Sequence, residues 1–274
     1  MSTRGARASL ALWLVLFLTP AAWADLILTG VPRGTEEQNE ALYGPMAEAL
    51  SRVIGEKVVY EYTKHWQDYS TLMRQGHYDL VIDSPHFVAW RMKHLGHEPL
   101  ARVPGAAAFN VVSNDASMQG RDSLVGKSVC GLASPNFGTL FVLSRFDNPV
   151  RQPVIVDIAG GDFGDVYAAM KEGRCSAGIL RNNYFDNKIP PAEREALNIV
   201  YSTPEAPNQT LSAGGRLSAD QKRKVSDYLL SAEGAQTSAA FLKEYSPKEP
   251  RFVPAPAADY QGLELLLEGV VWGW

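Results

Sequence analysis

Apolar residues recur at two intervals along this chain, and the two alternate. Leu42, Met46, Leu50 and Val53 repeat at helical spacing across residues 36–54, whereas residues 25–29 and 57–62 are short runs of strand character. A longer pattern occurs twice, as Met73-Arg74-Gln75-Gly76-His77-Tyr78-Asp79-Leu80-Val81-Ile82 and again as Met170-Lys171-Glu172-Gly173-Arg174-Cys175-Ser176-Ala177-Gly178-Ile179. Each copy reads as the end of an amphipathic helix, a Gly able to take the left-handed cap conformation, and an apolar strand fit for a buried parallel sheet.

Carried along the chain, this reading predicts strand-helix-strand-helix-strand over 25–82 and a helix over 85–95. An extended segment follows over 102–113. Strands at 126–132, 154–158 and 176–180 then alternate with helices at 135–146 and 163–172. A second extended segment covers 198–212, with helices at 218–230 and 234–242. Such alternation builds open α/β sheets covered on both faces. The expected architecture is therefore two α/β lobes with mainly parallel sheets, joined by two crossing strands. Residues 25–108 plus 210–274 form lobe 1, residues 109–209 form lobe 2, and a ligand cleft lies between them. The apolar tail from Leu263 to Trp274 reads as a closing helix on lobe 1.

Residues 1–24 stand apart from this scheme. Arg4 and Arg7 precede an apolar run from Leu10 to Leu18, and Ala22-Trp23-Ala24 follows Pro20, the pattern of a cleaved secretory signal peptide. Export leaves a chain starting near Asp25, and loss of the two arginines lowers the formal net charge from -4 to -6. An acidic chain without a basic patch is a poor nucleic-acid partner, so none is expected. Cys130 and Cys175 fall in strands assigned to one lobe. An oxidising compartment allows them to pair, and two buried free thiols are the alternative.

Both lobes carry a strand that runs into a Ser-Pro pair opening a helix: Ser84-Pro85-His86 and Ser134-Pro135-Asn136-Phe137-Gly138-Thr139. Ser is a good helix cap and Pro suits the first helical turn. Helix starts beyond the carboxyl ends of parallel strands are anion-binding positions, so the two pairs are expected to face one cleft. Gly138 would leave room for close backbone approach, and Thr139 would add a hydroxyl. Arg33, Arg181 and Lys64 follow strands and can reach the cleft. Trp66 is the preferred aromatic wall, with Tyr184 a counterpart in lobe 2. Asp83, Asp162 or Asp165 could hold the amine of a zwitterionic ligand. Sequence motifs for nucleophilic, metal-dependent, nucleotide and dinucleotide chemistry are missing, and His94 with His97 lacks a third ligand at usual spacing. No catalytic residue, cofactor or metal is expected.

The leader, Tyr43-Gly44-Pro45-Met46-Ala47-Glu48-Ala49-Leu50, the segment from Met73 to Phe87, Leu124-Val125-Gly126-Lys127-Ser128-Val129, the loop from Ser134 to Thr139 and Asp259-Tyr260 together resemble the phosphate/phosphite/phosphonate family of periplasmic solute-binding proteins. The resemblance implies a type II periplasmic binding fold in a monomer that closes on a small anionic or zwitterionic solute and presents it to an ABC permease of the inner membrane. It implies that Ser134, Asn136, Gly138 and Thr139 cradle an oxyanion, with Ser84, Pro85 and His86 as the opposing loop. Pro135 and Asn136 interrupt what is often a Ser-rich tract in that family. A sensor that signals to a membrane kinase or cyclase would share the fold, and so would some small-molecule enzymes.

Overall fold

The computed structural model describes residues 24–246 and 248–268. The segment up to residue 23, where a signal peptide is expected, and the tail from residue 269 lie outside them. No helix among the described residues is long and apolar enough to cross a membrane. In chain order the elements begin with β1 (Leu26–Gly30), α1 (Glu36–Ile54), β2 (Val58–Tyr60), α2 (Trp66–Arg74), β3 (Leu80–Asp83), α3 (Pro85–Leu95) and β4 (Glu98–Arg102). Next come β5 (Ala106–Ala107), β6 (Phe109–Ser113), β7 (Ser128–Leu132), α4 (Phe137–Leu143), β8 (Val154–Ile158), α5 (Phe163–Lys171), β9 (Ala177–Arg181), α6 (Asn182–Lys188) and α7 (Pro191–Glu195). The chain returns through β10 (Asn198–Ser202), β11 (Ala206–Pro207) and β12 (Thr210–Ala213), then α8 (Ala219–Leu229), α9 (Ala232–Thr237), α10 (Ala239–Tyr245), β13 (Val253–Pro254) and α11 (Leu265–Glu268).

The strands form two large sheets, ordered β13-β4-β12-β3-β1-β2 and β10-β6-β9-β7-β8. Each has the same kernel. β1 lies parallel between β2 and β3, and β7 lies parallel between β8 and β9. The repeated decapeptide supplies β3 and β9, and Gly76 and Gly173 take φ of 69° and 76° where the helix must end. The expectation of mainly parallel sheets needs correction. β12, β4 and β13 join the first sheet antiparallel, as do β6 and β10 in the second. β12 and β6 each arrive from the other half, through β11 and β5, so they enter without a crossover helix and run against β3 and β9.

The two extended segments are each cut into three strands, and their middle pieces, β5 and β11, pair with each other as a separate two-stranded ribbon between the sheets. Pro104-Gly105 on one side and Pro207 on the other interrupt pairing with either large sheet, which confines the connection to this ribbon.

One core cluster packs α1, α8 and α10 on the first sheet through Met46, Leu50, Leu229 and Phe241. A second runs through Tyr69 and Phe87 beside the first sheet to Phe109, Phe137 and Ile179 in the second, so the two halves share apolar surface. Cys130 on β7 and Cys175 before β9 form a disulfide, with Cα atoms 5.7 Å apart. α11 packs on α3, with Lys93 and His94 both reaching Glu268 (2.9 and 3.0 Å).

Candidate functional site

Strand exits from both sheets converge on a small cavity of about 20 Å³. β1 leads into Arg33, β3 into Ser84 and Pro85, the turn before α4 supplies Asn136 and Phe137, β9 ends in Arg181, and β11 leads into Asn208 and Gln209. Phe109 and Phe163 complete the wall. These positions lie where open α/β sheets place ligands, because strand carboxyl ends leave backbone and loop groups facing outward.

Arg181 governs the electrostatics. It is 8% exposed, donates from Nη2 to Asn208 Oδ1 at 2.5 Å, and leaves its Nε unpaired. Burial draws its pKa down to about 10. Among the described residues neither Arg181 nor Arg33 has a carboxylate within 4 Å, and no acid lines the cavity. Desolvating an arginine without an opposing charge is costly. Neutral dipoles surround it: Gln209 Nε2 donates to Ser84 Oγ at 3.3 Å, and Asn208 Nδ2 donates to Pro104 O at 3.1 Å.

Asp83, which ends β3 beside this cavity, is neutralised away from it. Arg91 from α3 grips both carboxylate oxygens at 2.7 Å, Tyr69 donates to the same group, and all three are fully buried. Burial opposes the Arg91 charge, yet Asp83 outweighs it and holds the Arg91 pKa above its ordinary value. Asp83 is therefore not available to an amine.

His86 ties the halves together. Its Nε2 meets Pro135 O at 3.0 Å across the cleft, and its ring stacks on Phe137 at 5.1 Å. Burial lowers its pKa to about 3, so the ring is neutral, and the contact to a carbonyl makes Nε2 the protonated nitrogen.

The structure brings together Arg33, Arg181, Ser84, Pro85 and Asn136 from the sequence expectations, with Arg33 and Asn136 also lining an outer groove that includes Lys64 and Trp66. It does not bring Ser134 to Ser84. α4 starts at Phe137 with Asn136 as its cap, the Asn136 side chain accepting from Gly138 N at 2.9 Å. The Ser134-Pro135 bond is cis, and Ser134 borders a different groove beside Val150 and Val154, together with Thr139. Thr139 Oγ1 is committed to Leu132 O at 2.6 Å. Gly138 makes room for a ring rather than a ligand, because a Cβ there would lie 2.5 Å from the Phe109 ring. Ser84 precedes α3 without making a side-chain cap bond. Tyr184 lies beside Phe163 at 6.2 Å and lines neither the cavity nor the groove.

Sequence reasoning gave Arg181 too little weight and missed Asn208 and Gln209. A signal existed. Asn208-Gln209 is a polar pair inside an extended segment that must run between two cores, and Arg181 ends a strand that is otherwise wholly apolar.

A sequence model of the family described as ABC transporter, phosphonate, periplasmic substrate-binding protein matches residues 28–260. No curated protein matches the chain. Among solved structures, XAC2383 from Xanthomonas citri bound to ATP is similar with a TM-score of 0.71 at 14% identity, over 89% of this chain and 97% of that one. PhnD1 from Prochlorococcus marinus in complex with methylphosphonate gives 0.63 at 15% identity, over 89% and 97%. A binding-protein component of an ABC phosphonate transporter from Pseudomonas aeruginosa gives 0.57 at 12% identity, over 89% and 84%. At these identities the likeness is one of fold.

Proposed function

The chain belongs to the periplasmic phosphonate-binding family of ABC-transporter substrate-binding proteins, and from that premise we propose that it captures a small oxyanion of phosphonate or phosphate type between Arg33 and Arg181 and delivers it to an importer. The family is one of solute binders rather than enzymes. In this reading residues 1–24 direct export, and the folded chain acts as a monomer with residues 25–108 plus 210–274 as one lobe and 109–209 as the other.

The buried Arg181 guanidinium, opposed by no carboxylate, carries the proposal. A tetrahedral oxyanion would supply the missing charge and accept from the unpaired Nε, from Arg33, and from the amides of Asn136 and Gln209. Bidentate arginine contacts of this kind are among the stronger hydrogen bonds in proteins. Methylphosphonate and ATP, named for two of the structural neighbours, both present such a group.

The cavity of about 20 Å³ has room for about one water. A phosphonate therefore enters by separation of the lobes about the β5–β11 ribbon, and the His86 to Pro135 bond re-forms on closure. Calorimetric titration of the mature protein with methylphosphonate and inorganic phosphate tests the reading, with one site per chain expected. Binding of neither anion at low ionic strength would remove it.

A further inference from the structure

The inner cavity adjoins a groove of about 700 Å³, and Arg33 and Asn136 line both. A methyl substituent occupies a small part of such a space, whereas grooves of about 300 to 1,000 Å³ suit larger organic ligands. Trp66 forms one wall. As the first residue of α2 it is half-buried, stacked on Phe87 at 5.8 Å with an interplanar angle of 12° and set edge-on to Tyr69 at 5.9 Å. A ring fixed on two sides presents a preorganised apolar surface. Leu132 and Ile158 face the same groove from the second sheet.

Two cations, Arg33 and Lys64, and two carboxylates line the groove, so its charges balance and favour no charged tail. Asp162 and Asp165 line the groove, but both are committed to the start of α5. Asp162 Oδ1 accepts from the Gly164 and Asp165 N–H groups at 2.6 and 3.1 Å, and Asp165 Oδ2 accepts from Asp162 N at 2.8 Å.

Resting on the oxyanion reading above, we propose that the ligand is an organic phosphonate or phosphate monoester whose neutral, apolar or aromatic substituent lies against Trp66 in the outer groove. Trp66 is then the residue that sets specificity for the tail, and Arg33 and Arg181 hold the head. Aromatic pairs gain from stacking beyond the area they bury, so a flat substituent benefits most.

The test titrates four compounds by calorimetry into wild type and Trp66→Ala: inorganic phosphate, methylphosphonate, phenylphosphonate and phenyl phosphate. One aryl compound is expected to bind at least tenfold more tightly than methylphosphonate, and the tighter of the two identifies the phosphonate or the ester as the source. Trp66→Ala should cut that preference to less than threefold, the aryl compound losing at least three times as much affinity as methylphosphonate does. Equal affinities for methyl and aryl compounds, or a uniform loss in the variant, overturns the assignment of the groove while the oxyanion head site stands. Failure of all four compounds to bind overturns both. Should Trp66→Ala not fold, Trp66→Leu retains apolar contact with Phe87 without a ring face and carries the same comparison.

Discussion

Replacing Arg181 with methionine removes a charge that the protein holds at a cost and keeps most of the side-chain volume. Burial brings the Arg181 pKa from 12.5 to about 10. At about 1.4 kcal/mol for each tenfold change in ionisation, the charged side chain costs about 3 kcal/mol in the ligand-free protein. Against that stands the bond to Asn208 at 2.5 Å, worth about 0.5 to 1.5 kcal/mol net. Ligand-free Arg181→Met should therefore be more stable by about 1 to 3 kcal/mol, a rise in Tm of at least about 2 °C for a chain of this size. Binding should move the other way. Losing a buried charge partner costs about 2 to 5 kcal/mol, so methylphosphonate affinity should fall thirtyfold or more. Scanning calorimetry of the ligand-free proteins and titration of the same samples give both numbers. A variant that loses stability and keeps its affinity would refute the reasoning, because Arg181 would then be a structural cation satisfied by Asn208 alone.

Further expectations follow from other contacts. The disulfide closes 45 residues of chain, and Cys130→Ser with Cys175→Ser should cost about 4 kcal/mol in the chain-entropy treatment, read as a lower Tm. In the proposed closed state the neutral His86 ring bonds Pro135 O. Its pKa of about 3 in that state lies below the ordinary 6.5, so closure is unpenalised above pH 6.5 and weakens as pH falls. By pH 5 the loss is about 2 kcal/mol, and His86→Asn should flatten this part of the affinity profile. Ser134→Ala should leave oxyanion affinity within twofold, because Ser134 borders the groove next to Val150. Ser84→Ala should weaken binding by about 1 kcal/mol, and parallel titrations separate the two.

Local rules made much of this protein legible. The helical spacing of residues 36–54 and the Pro85 start predict α1 and α3 with their observed bounds, because periodicity and caps are properties of neighbouring residues. The repeated decapeptide likewise marks β3 and β9, since a helix, a left-handed Gly and an apolar strand can each be recognised within ten positions. The second Ser-Pro pair misled. A Ser before Pro resembles a helix start in sequence, but Asn136 is the residue that caps α4, and Ser134 borders another groove.

The amino-acid order alone therefore determined the alternation of helices and strands, the crossing segments and the family likeness, all written in short-range pattern and composition. Tertiary structure decided which polar groups meet. Arg181 and Asn208 are 27 residues apart and His86 and Pro135 are 49 apart. Whether an arginine at a strand end is solvated or buried without a counter-charge depends on the chain that folds over it, and that is settled only when two sheets close on one another.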